Sequence, residues 1–285
     1  MSTTPDTPDK PPRIAVIVPC YGDGELLREA IASVREEEPV EIIIVDDGSD
    51  DPATQEVLSG FEADGLRVLH HEENRGPGAA RSTALRSTQA EFIFPLDADD
   101  LAVAGVLGKM ADRLEENPDA AVCFGDYLEF GGSELVRAAP EQIDPYRLAY
   151  TNEYPISALF RRRALEEAGA WSPIAAYEDW HLWMSLAEQG KTGVHLGPAV
   201  PTYQRRLHGT RLLTRAKLSH SDLYRRLRDD HPKLFAELPR HRRHTSLGRL
   251  TKLLYPIVYG GRRRFPWEAR VKALLDRLGL WTLRR

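Results

Sequence analysis

Short apolar segments alternate with stretches of helical periodicity in the N-terminal part of this chain, and this alternation limits the folds open to it. The apolar segments are 13–19, 40–45, 66–70 and 92–96, and the stretches of helical periodicity are 23–34, 52–61, 78–88 and 103–116. Strands joined through helices need crossover connections, which predicts an α/β fold with a mostly parallel sheet and helices on both faces. Ligands of such sheets bind beyond the carboxyl ends of the strands.

Acidic residues follow two of these predicted strands. The segment 92–101 is FIFPLDADDL, and the strand 40–45 is followed by DDGSDD. An isolated Asp-rich turn is ordinarily a solvated turn, because Asp forms local hydrogen bonds there. Two such turns at the same edge of one sheet favour a cation site instead, since clustered carboxylates repel one another unless a cation offsets their charge.

The composition is that of a globular protein. Apolar residues make up 42% and charged residues 28% of the 285 positions, which fits one large domain with an appendage or two modest domains. Cys20 and Cys123 both lie in apolar segments, so we expect buried thiols in a reducing compartment. The first twelve residues show no signal-peptide pattern and no run of 18 apolar residues occurs, so we expect a cytoplasmic protein.

The net charge of −5 hides a strong asymmetry along the chain. Residues 1–203 contain 37 acidic and 16 basic residues, whereas residues 204–285 contain 6 acidic and 22 basic residues. This division predicts a boundary near residue 204 and an anionic partner for the C-terminal part. A lipid surface, a phosphate-bearing substrate and the acidic part of the chain itself all remain open.

A glycine-rich turn precedes the third predicted helix. Gly76, Pro77 and Gly78 open this helix, and Arg81 lies in its first turns. The backbone N–H groups at a helix N-terminus and an Arg side chain can together bind an anion. A plain helix-opening turn would have the same sequence, and the segment is neither a Walker loop nor a dinucleotide fingerprint.

Five segments in this order resemble the successive motifs of the inverting family-two glycosyltransferases. The segments are VPCYGDGELLREAIASV, IIIVDDGSDD, NRGPGAARSTAL, FPLDADD and YEDWHLW, and the resemblance covers roughly residues 13–210. It implies a GT-A fold, which is a Rossmann-like, mostly parallel sheet with helices on both faces. It also implies a nucleoside-diphosphate sugar as donor, with a uridine nucleotide favoured, and a carbohydrate or lipid-linked acceptor.

The resemblance implies a nucleotide site in the first half of the chain. Residues matching Pro19 to Tyr21 and Asp47 line the pocket for the nucleotide base in that family. Arg81 matches the Arg of the family's ARN stretch, and Ser82 stands here in place of its Asn. A contact made by that Asn in the family therefore has no direct counterpart in this sequence.

The resemblance also implies the residues closest to the chemistry. Asp97 and Asp99 match the family's DxD pair, with Asp99 on the metal and Asp97 at the ribose or bound to the metal through water. His208 matches a His near the pyrophosphate and is a candidate metal ligand. In the ED pair, Asp179 stands in the place of the catalytic base and Glu178 beside it. Trp180 is a candidate wall of the acceptor site.

The chemistry of sugar transfer accounts for these residue types. Negative charge builds on the leaving diphosphate, and Mn²⁺ or Mg²⁺ held by carboxylate oxygens would neutralise it. The attacking acceptor hydroxyl must lose a proton, and a partly buried carboxylate such as Asp179 is a suitable base. Each assignment has an ordinary alternative: an ED pair can simply cap a helix, a lone His such as His208 is usually a surface residue, and Trp180 can be core.

The predicted organisation has three parts. Residues 1–12 form a disordered tail, residues 13–215 the glycosyltransferase domain, and residues 216–285 a basic helical extension. Within the domain, 13–125 is the nucleotide-binding half and 126–215 the acceptor half. In the extension, apolar residues at helical spacing in 266–281 and the RRR of 262–264 suit an anionic membrane surface. Packing of that apolar face on the domain, or on a second subunit of a homodimer, is the alternative.

We therefore expect a metal-dependent inverting glycosyltransferase with no nucleic-acid partner, either free in the cytoplasm or peripheral at the inner face of the membrane. Clustered Asp residues at strand ends would also suit a metal-dependent phosphohydrolase or nucleotidyltransferase. Such an enzyme would not require a distant base aimed at an acceptor hydroxyl. A non-catalytic scaffold of the same fold is a third possibility, and the intact DxD and ED motifs argue against it.

Overall fold

A computed structural model of the protein describes residues 11–132, 134–172, 177–198, 200–207 and 220–259. The candidate ligand His208, the amphipathic segment 266–281 and the arginines 262–264 lie outside these residues. In chain order, the strands of the described part are β1 (Ile14–Cys20), β2 (Val40–Asp46), β3 (Arg67–His70), β4 (Phe92–Pro95), β5 (Leu101–Ala102), β6 (Ala120–Phe124), β7 (Asp126–Phe130), β8 (Leu135–Arg137), β9 (Leu159–Arg161), β10 (Thr192–His195) and β11 (Pro201–Arg206).

The helices of the described part follow most of these strands. They are α1 (Gly24–Ser33), α2 (Pro52–Ala63), α3 (Pro77–Ser87), α4 (Val106–Glu115), α5 (Pro145–Leu148), α6 (Arg162–Glu167), α7 (Glu178–Glu188), α8 (His220–Asp230), α9 (Pro232–Ala236), α10 (Leu238–His244) and α11 (Arg249–Tyr259). The first four strands and first four helices confirm the elements predicted from the apolar and helical periodicity. Asp23 lies at the N-cap position of α1 as expected, but its side chain makes no capping hydrogen bond.

Within the described residues, the main sheet has seven strands in the order β10-β6-β9-β4-β1-β2-β3. Neighbouring strands run parallel except β9, which is antiparallel to both β4 and β6. The carboxyl ends of β1, β2 and β4 therefore meet at one edge, where Cys20 pairs with Asp46 and Ile17 with Pro95. This arrangement confirms the predicted mostly parallel sheet and brings the acidic turns together.

Alternate residues of the central strands face two separate cores. Along β1, Ala15 and Ile17 pack with α3 and α7, whereas Val16 and Val18 pack with α1, α2 and α4. This alternation follows from the period of two along a strand, and burial on both faces explains why the strand is apolar throughout. Helices on both faces of the sheet confirm the predicted architecture. Cys20 and Cys123 are buried free thiols, as expected.

A smaller sheet, which the sequence patterns did not predict, lies beside the acidic turn. It has the order β5-β11-β7-β8 within the described residues. Because residues 101 and 102 pair with β11, helix α4 begins at Val106 and not near residue 103 as predicted. Gly105 precedes the helix with a φ of 69°, a left-handed conformation that glycine adopts without strain. The strand and the glycine together delay the start of the helix.

The helices of residues 220–259 pack on the part of the chain that spans 126–215. Leu223, Leu227 and Leu234 belong to the same core as the buried residues of α3 and α7. Tyr255 of α11 is fully buried in a second cluster with Tyr146 of α5. These helices of the C-terminal part therefore share a core with the residues that precede them, whereas the alternative of packing for 266–281 lies outside the described residues. No helix within the described residues has the length and apolar content needed to cross a membrane.

This packing predicts that the C-terminal helices contribute to global stability. Leu227→Ala removes a fully buried side chain between α8 and the core, so the free energy of unfolding should fall by about 2–5 kcal/mol. Urea denaturation measures the change. Leu250→Ala is the matched control, because Leu250 is 49% exposed and its truncation should change stability by less than about 0.5 kcal/mol. Equal, small effects of the two substitutions would contradict a shared core.

Candidate active site

The acidic turn after β4 gathers three carboxylates. One oxygen from each of Asp97, Asp99 and Asp100 lies within 4.8 Å of the others, and the described residues contain no other such group of three His, Cys, Asp or Glu side chains. Asp100 is 4% exposed. Burial, followed by the charges of Asp97 and Asp99, raises its pKa well above the ordinary value. Packing three acids this closely costs free energy that a bound cation would offset.

Arg206 of the small sheet holds this turn in place. Its backbone N–H donates to Asp100 Oδ1 at 2.8 Å, and its Nε donates to the carbonyl oxygen of Asp99 at 3.0 Å. Its guanidinium also pairs with Glu29 of α1 at 2.6 Å and lies over the ring of Phe130. Arg206 thus connects the acidic turn to helix α1 and to the small sheet.

Arg81 connects the acidic turn to the ED pair. Its guanidinium pairs with Asp97 on one side and with Glu178 Oε1 at 3.0 Å on the other. The side chain is 2% exposed, although it carries a charge. Within the described part of the chain, Arg81 Nε and Glu178 Oε2 are buried without a hydrogen-bond partner. The hydrogen-bonding capacity of these two atoms is therefore unsatisfied within the cluster.

A glycine allows the helix with Arg81 to approach the ED pair closely. A Cβ atom at Gly78 would lie 2.7 Å from the carbonyl oxygen of Ser172 and 3.3 Å from Glu178 Cβ. Any larger residue at the start of α3 would therefore push it away from α7. This close approach explains Gly78 of the glycine-rich turn.

Asp179 lies in the first turn of α7, beside Glu178. Its Oδ1 accepts the backbone N–H of Trp180 at 2.7 Å, and its Oδ2 accepts Asn152 Nδ2 at 2.9 Å. Burial, with a further contribution from the charge of Glu178, raises the pKa of Asp179 to about 6. A carboxylate with this pKa is ionised at neutral pH yet is more basic than an exposed one. The arrangement suits a general base.

Asp47 is buried beneath the loop that opens α3. Its oxygens accept the backbone N–H groups of Arg75 at 3.1 Å and of Gly76 at 2.7 Å, and contact His71 Nδ1 at 2.6 Å. The adjoining Gly48 packs so closely on this loop that a Cβ there would lie 2.7 Å from the backbone of Glu73. Asp47 therefore fixes the loop, and its contact with a nucleotide base stays a prediction.

The remaining predicted residues differ in accessibility. Pro19 is partly buried at the end of β1, and Tyr21 is 46% exposed just beyond it. Ser82 donates to the carbonyl oxygen of Trp171 at 3.4 Å. Trp180 is 5% exposed and its indole donates to the carbonyl oxygen of Leu148 at 2.8 Å, which favours a packing role over contact with an acceptor.

Three residues near these carboxylates were missed by the sequence analysis: Asn152, Arg206 and His71. Asn152 stands in a stretch with no motif, and Arg206 lies in the segment YQRRLHGTRLLT, of which only His208 was singled out. No local pattern signals their partners, because each partner lies 24 or more positions away. The structure brings together the acidic turn, Arg81 and the ED pair.

Comparisons with known proteins agree with this geometry. Residues 15–177 match the family model described as glycosyl transferase family 2. The UDP-Glc:alpha-D-GlcNAc-diphosphoundecaprenol beta-1,3-glucosyltransferase WfgD of Escherichia coli is 26% identical over 177 residues, which are 61% of this chain and 69% of that protein. The chain spans between 31% and 41% of the length of the first three curated relatives that it matches.

Two solved structures share the fold. S. aureus TarS residues 1–349 in complex with UDP-GlcNAc superposes with a TM-score of 0.65 at 19% identity, covering 93% of this chain and 77% of that one. The mannosyltransferase PcManGT from Pyrobaculum calidifontis in complex with GDP-Man and Mn²⁺ gives a TM-score of 0.57 at 20% identity, covering 95% of this chain and 76% of that one. The GT-A fold expected from the motifs is thereby confirmed. Since the family model matches more than half of the residues, the chain belongs to glycosyl transferase family 2.

Proposed function

We propose that the chain is an inverting glycosyltransferase that moves a sugar from a nucleoside-diphosphate sugar to an acceptor hydroxyl, in the synthesis of a cell-surface glycan or glycoconjugate. The observation that supports this most is the link from Asp97 through buried Arg81 to Glu178, because it joins a cation-type acidic turn to a carboxylate pair that contains a base. A phosphohydrolase would need the acidic turn but not the carboxylate pair. Membership of the family supports the same reaction class.

The acidic turn fits a divalent metal ion. Its three ligand atoms are carboxylate oxygens within 4.8 Å of one another, which suits hard cations such as Mn²⁺ or Mg²⁺. Burial, and after it the charges of Asp97 and Asp99, raises the pKa of Asp100. A bound cation would neutralise charge on the leaving diphosphate as a Lewis acid. Asp99 would hold it, with Asp97 at the ribose or bound through water; His208 remains a proposed further ligand.

Asp179 would act as the general base. Each of its oxygens accepts one protein N–H and keeps a further lone pair for the acceptor hydroxyl. The hydroxyl oxygen would attack the anomeric carbon while its proton passes to Asp179, and the electron pair of the broken bond would leave with the diphosphate. Attack opposite the leaving group inverts the anomeric configuration.

The donor would bind in the nucleotide half, 13–125. Pro19, Tyr21 and Asp47 would border the base pocket, and Arg81 would lie near the diphosphate. We favour a uridine nucleotide, because TarS was solved with UDP-GlcNAc and WfgD is named for UDP-Glc. The acceptor would enter beside Glu178 in the half that spans 126–215.

A thermal-shift screen of nucleotide sugars, with and without Mn²⁺, tests this proposal. A ligand that binds only the native state increases the free energy of unfolding by RT ln(1 + [L]/Kd) and therefore raises the melting temperature. We expect a UDP-sugar to stabilise the protein only when Mn²⁺ is present. Stabilisation by nucleoside triphosphates or phosphate esters alone, with release of phosphate or pyrophosphate, would favour a phosphohydrolase or nucleotidyltransferase. A lack of any response would favour a scaffold.

The C-terminal part would bring the enzyme to an anionic membrane, at the inner face, near a lipid-linked acceptor. On α11, Leu250, Leu253 and Ile257 are 49%, 58% and 46% exposed and share one face, opposite the fully buried Tyr255. This exposed aliphatic stripe lies in a segment with 22 basic and 6 acidic residues. The combination matches an anionic bilayer, whose acyl chains are apolar and whose headgroups are negatively charged. WfgD, named for a diphosphoundecaprenol acceptor, supports a lipid-linked substrate.

Binding to lipid vesicles should therefore depend on both charge and the stripe. Each basic side chain near an acidic bilayer contributes about 1 kcal/mol, and salt screens this attraction. We expect sedimentation with phosphatidylglycerol vesicles at low salt, a sharp loss at high salt, and weak binding to phosphatidylcholine. The triple substitution of Leu250, Leu253 and Ile257 by Ser should weaken binding by more than about tenfold.

The double variant Leu135→Ser/Val136→Ser is the matched control, because these aliphatic residues are exposed on β8, away from α11. It should bind vesicles as the parent protein does. Equal sedimentation with anionic and neutral vesicles would refute the membrane contact. If light scattering then shows a dimer that the triple variant loses, the stripe is the interface of a homodimer instead.

A further inference from the structure

We propose that Asn152 is a positioning residue that holds the Asp179 carboxylate in the place and charge state needed for proton abstraction; this inference rests on the proposed function. Its Nδ2 lies 2.9 Å from Asp179 Oδ2, and its Oδ1 accepts the backbone N–H of Tyr154 at 3.1 Å. Neither Asn152 nor Tyr154 belongs to a motif of the sequence. The contact joins the loop after α5 to the first turn of α7.

The orientation of the Asn152 amide follows from its two neighbours. A backbone N–H at Tyr154 can only donate, and an ionised carboxylate at Asp179 can only accept. A flipped amide would place two donors together at Tyr154 and two acceptors together at Asp179. The amide is therefore locked with its N–H toward the carboxylate, and it favours the ionised form of Asp179.

The loop that bears Asn152 is anchored to the core. The Tyr154 ring stacks on Trp183 of α7 at 4.6 Å, and its hydroxyl accepts the N–H of Asp144 and donates to the carbonyl oxygen of Gln142, both at 2.7 Å. The indole of Trp183 in turn donates to the carbonyl oxygen of Pro155 at 3.0 Å. Because the loop and α7 are tied at several points, Asn152 and Asp179 keep a fixed separation.

The C-terminal helices support the same loop. Tyr255 of α11 donates to Glu153 Oε2 at 2.7 Å, and Arg147 pairs with the same carboxylate. Tyr224 of α8 donates to the carbonyl oxygen of Ala149 at 2.6 Å. Residues on either side of Asn152 are thus held by helices that follow the glycosyltransferase motifs in sequence. This gives residues 220–259 a role at the active site.

The charges around Asp179 show why such a donor is needed. Burial and the charges of Glu178 and Asp97 oppose its ionisation, whereas the Trp180 N–H and the charge of Arg81 favour it. These opposing contributions leave the pKa of Asp179 at about 6. Loss of one hydrogen-bond donor therefore raises this pKa toward neutral pH. A hydrogen bond to a charged group stabilises it by enough to move a pKa by about one unit or more.

The experiment compares Asn152→Ala and Asn152→Asp with the parent enzyme in pH profiles of turnover. Turnover is measured as release of nucleoside diphosphate from the UDP-sugar that gives the largest thermal shift. We expect the acid limb to move up by about one pH unit in Asn152→Ala, and turnover at pH 7 to fall about tenfold. Asn152→Asp keeps the acceptor for the Tyr154 N–H but adds a like charge, so its acid limb should move further.

Asn117→Ala is the control, because this Asn donates from an exposed position to the carbonyl oxygen of Arg113. Its profile should equal that of the parent enzyme. Donor affinity should be near that of the parent in both Asn152 variants, which shows that the fold and the donor site are intact. Unshifted acid limbs in both Asn152 variants, while Asp179→Asn is inactive, would overturn the role of Asn152 alone. An active Asp179→Asn would overturn the proposed base itself.

Discussion

Replacing Asp179 by Asn is expected to abolish most turnover while donor binding stays nearly unchanged. The amide keeps the shape of the side chain but cannot accept a proton, and loss of a general base typically lowers the rate by about 100- to 10,000-fold. Donor affinity should survive because the acidic turn and Arg81 are separate from this side chain. Turnover and donor affinity are measured by nucleoside-diphosphate release and by titration calorimetry with Mn²⁺.

The parent enzyme should also lose turnover as the pH falls through about 6, because Asp179 must be ionised to accept a proton. Asp222→Asn is the control, since Asp222 is likewise an acid in the first turn of a helix, α8, but lies outside the ED pair. It should leave turnover within about twofold, as expected for a surface substitution. Turnover close to normal in Asp179→Asn would mean that another group takes the proton.

Replacing Asp99 by Asn should remove metal-dependent donor binding without unfolding the protein. The substitution deletes one proposed carboxylate ligand, whereas the turn is held through the carbonyl oxygen of Asp99 and the side chain of Asp100, both contacted by Arg206. Loss of groups that only support a metal ligand lowers affinity by about 10- to 100-fold, so loss of the ligand itself should cost at least about 100-fold. Calorimetric titration with a UDP-sugar and Mn²⁺ measures this donor affinity.

Asp64→Asn serves as the control for this substitution, because Asp64 is an exposed acid at the end of α2. Donor binding in this variant should match the parent protein with and without Mn²⁺. The melting temperature of Asp99→Asn without ligand should equal or exceed that of the parent, since one charge of a repelling cluster is removed. Unchanged Mn²⁺-dependent binding in Asp99→Asn would rule out this turn as the metal site.

The strands and acidic turns could be predicted because local patterns determine them. Continuous apolar runs such as 40–45 are required where both faces of a strand are buried, and the parallel order then fixes which turns share an edge. Sequence reasoning alone therefore placed Asp47 and the DxD pair at one edge of the sheet. The family resemblance added Asp179, which no local pattern separates from an ordinary helix-opening acid.

The rest of the site depends on contacts between distant segments. Arg206 reaches the acidic turn only because β11 pairs with β5, a strand of two residues that no periodicity can reveal. Asn152 meets Asp179 through a loop whose position is fixed by the stacking of Tyr154 on Trp183. Neither residue has a sequence neighbour that would signal its partner. Their discovery required the folded structure.

The C-terminal part shows the same limit in another form. Its charge asymmetry predicted a boundary and an anionic partner, but the apolar positions of a helix do not say what covers them. The structure places Leu223 and Leu227 in the core and leaves Leu250 and Leu253 exposed. Burial and exposure therefore alternate within one basic segment, and packing and membrane contact can both apply.

The most direct test of the central claim is proton NMR of sugar release from an α-linked UDP-sugar, with Mn²⁺ present and water as the acceptor. An inverting transfer through Asp179 should release UDP together with the β-anomer of the sugar, seen before mutarotation mixes the anomers, and no signal should grow with Asp179→Asn. Formation of UMP and a sugar 1-phosphate, or of the α-anomer first, would contradict the account.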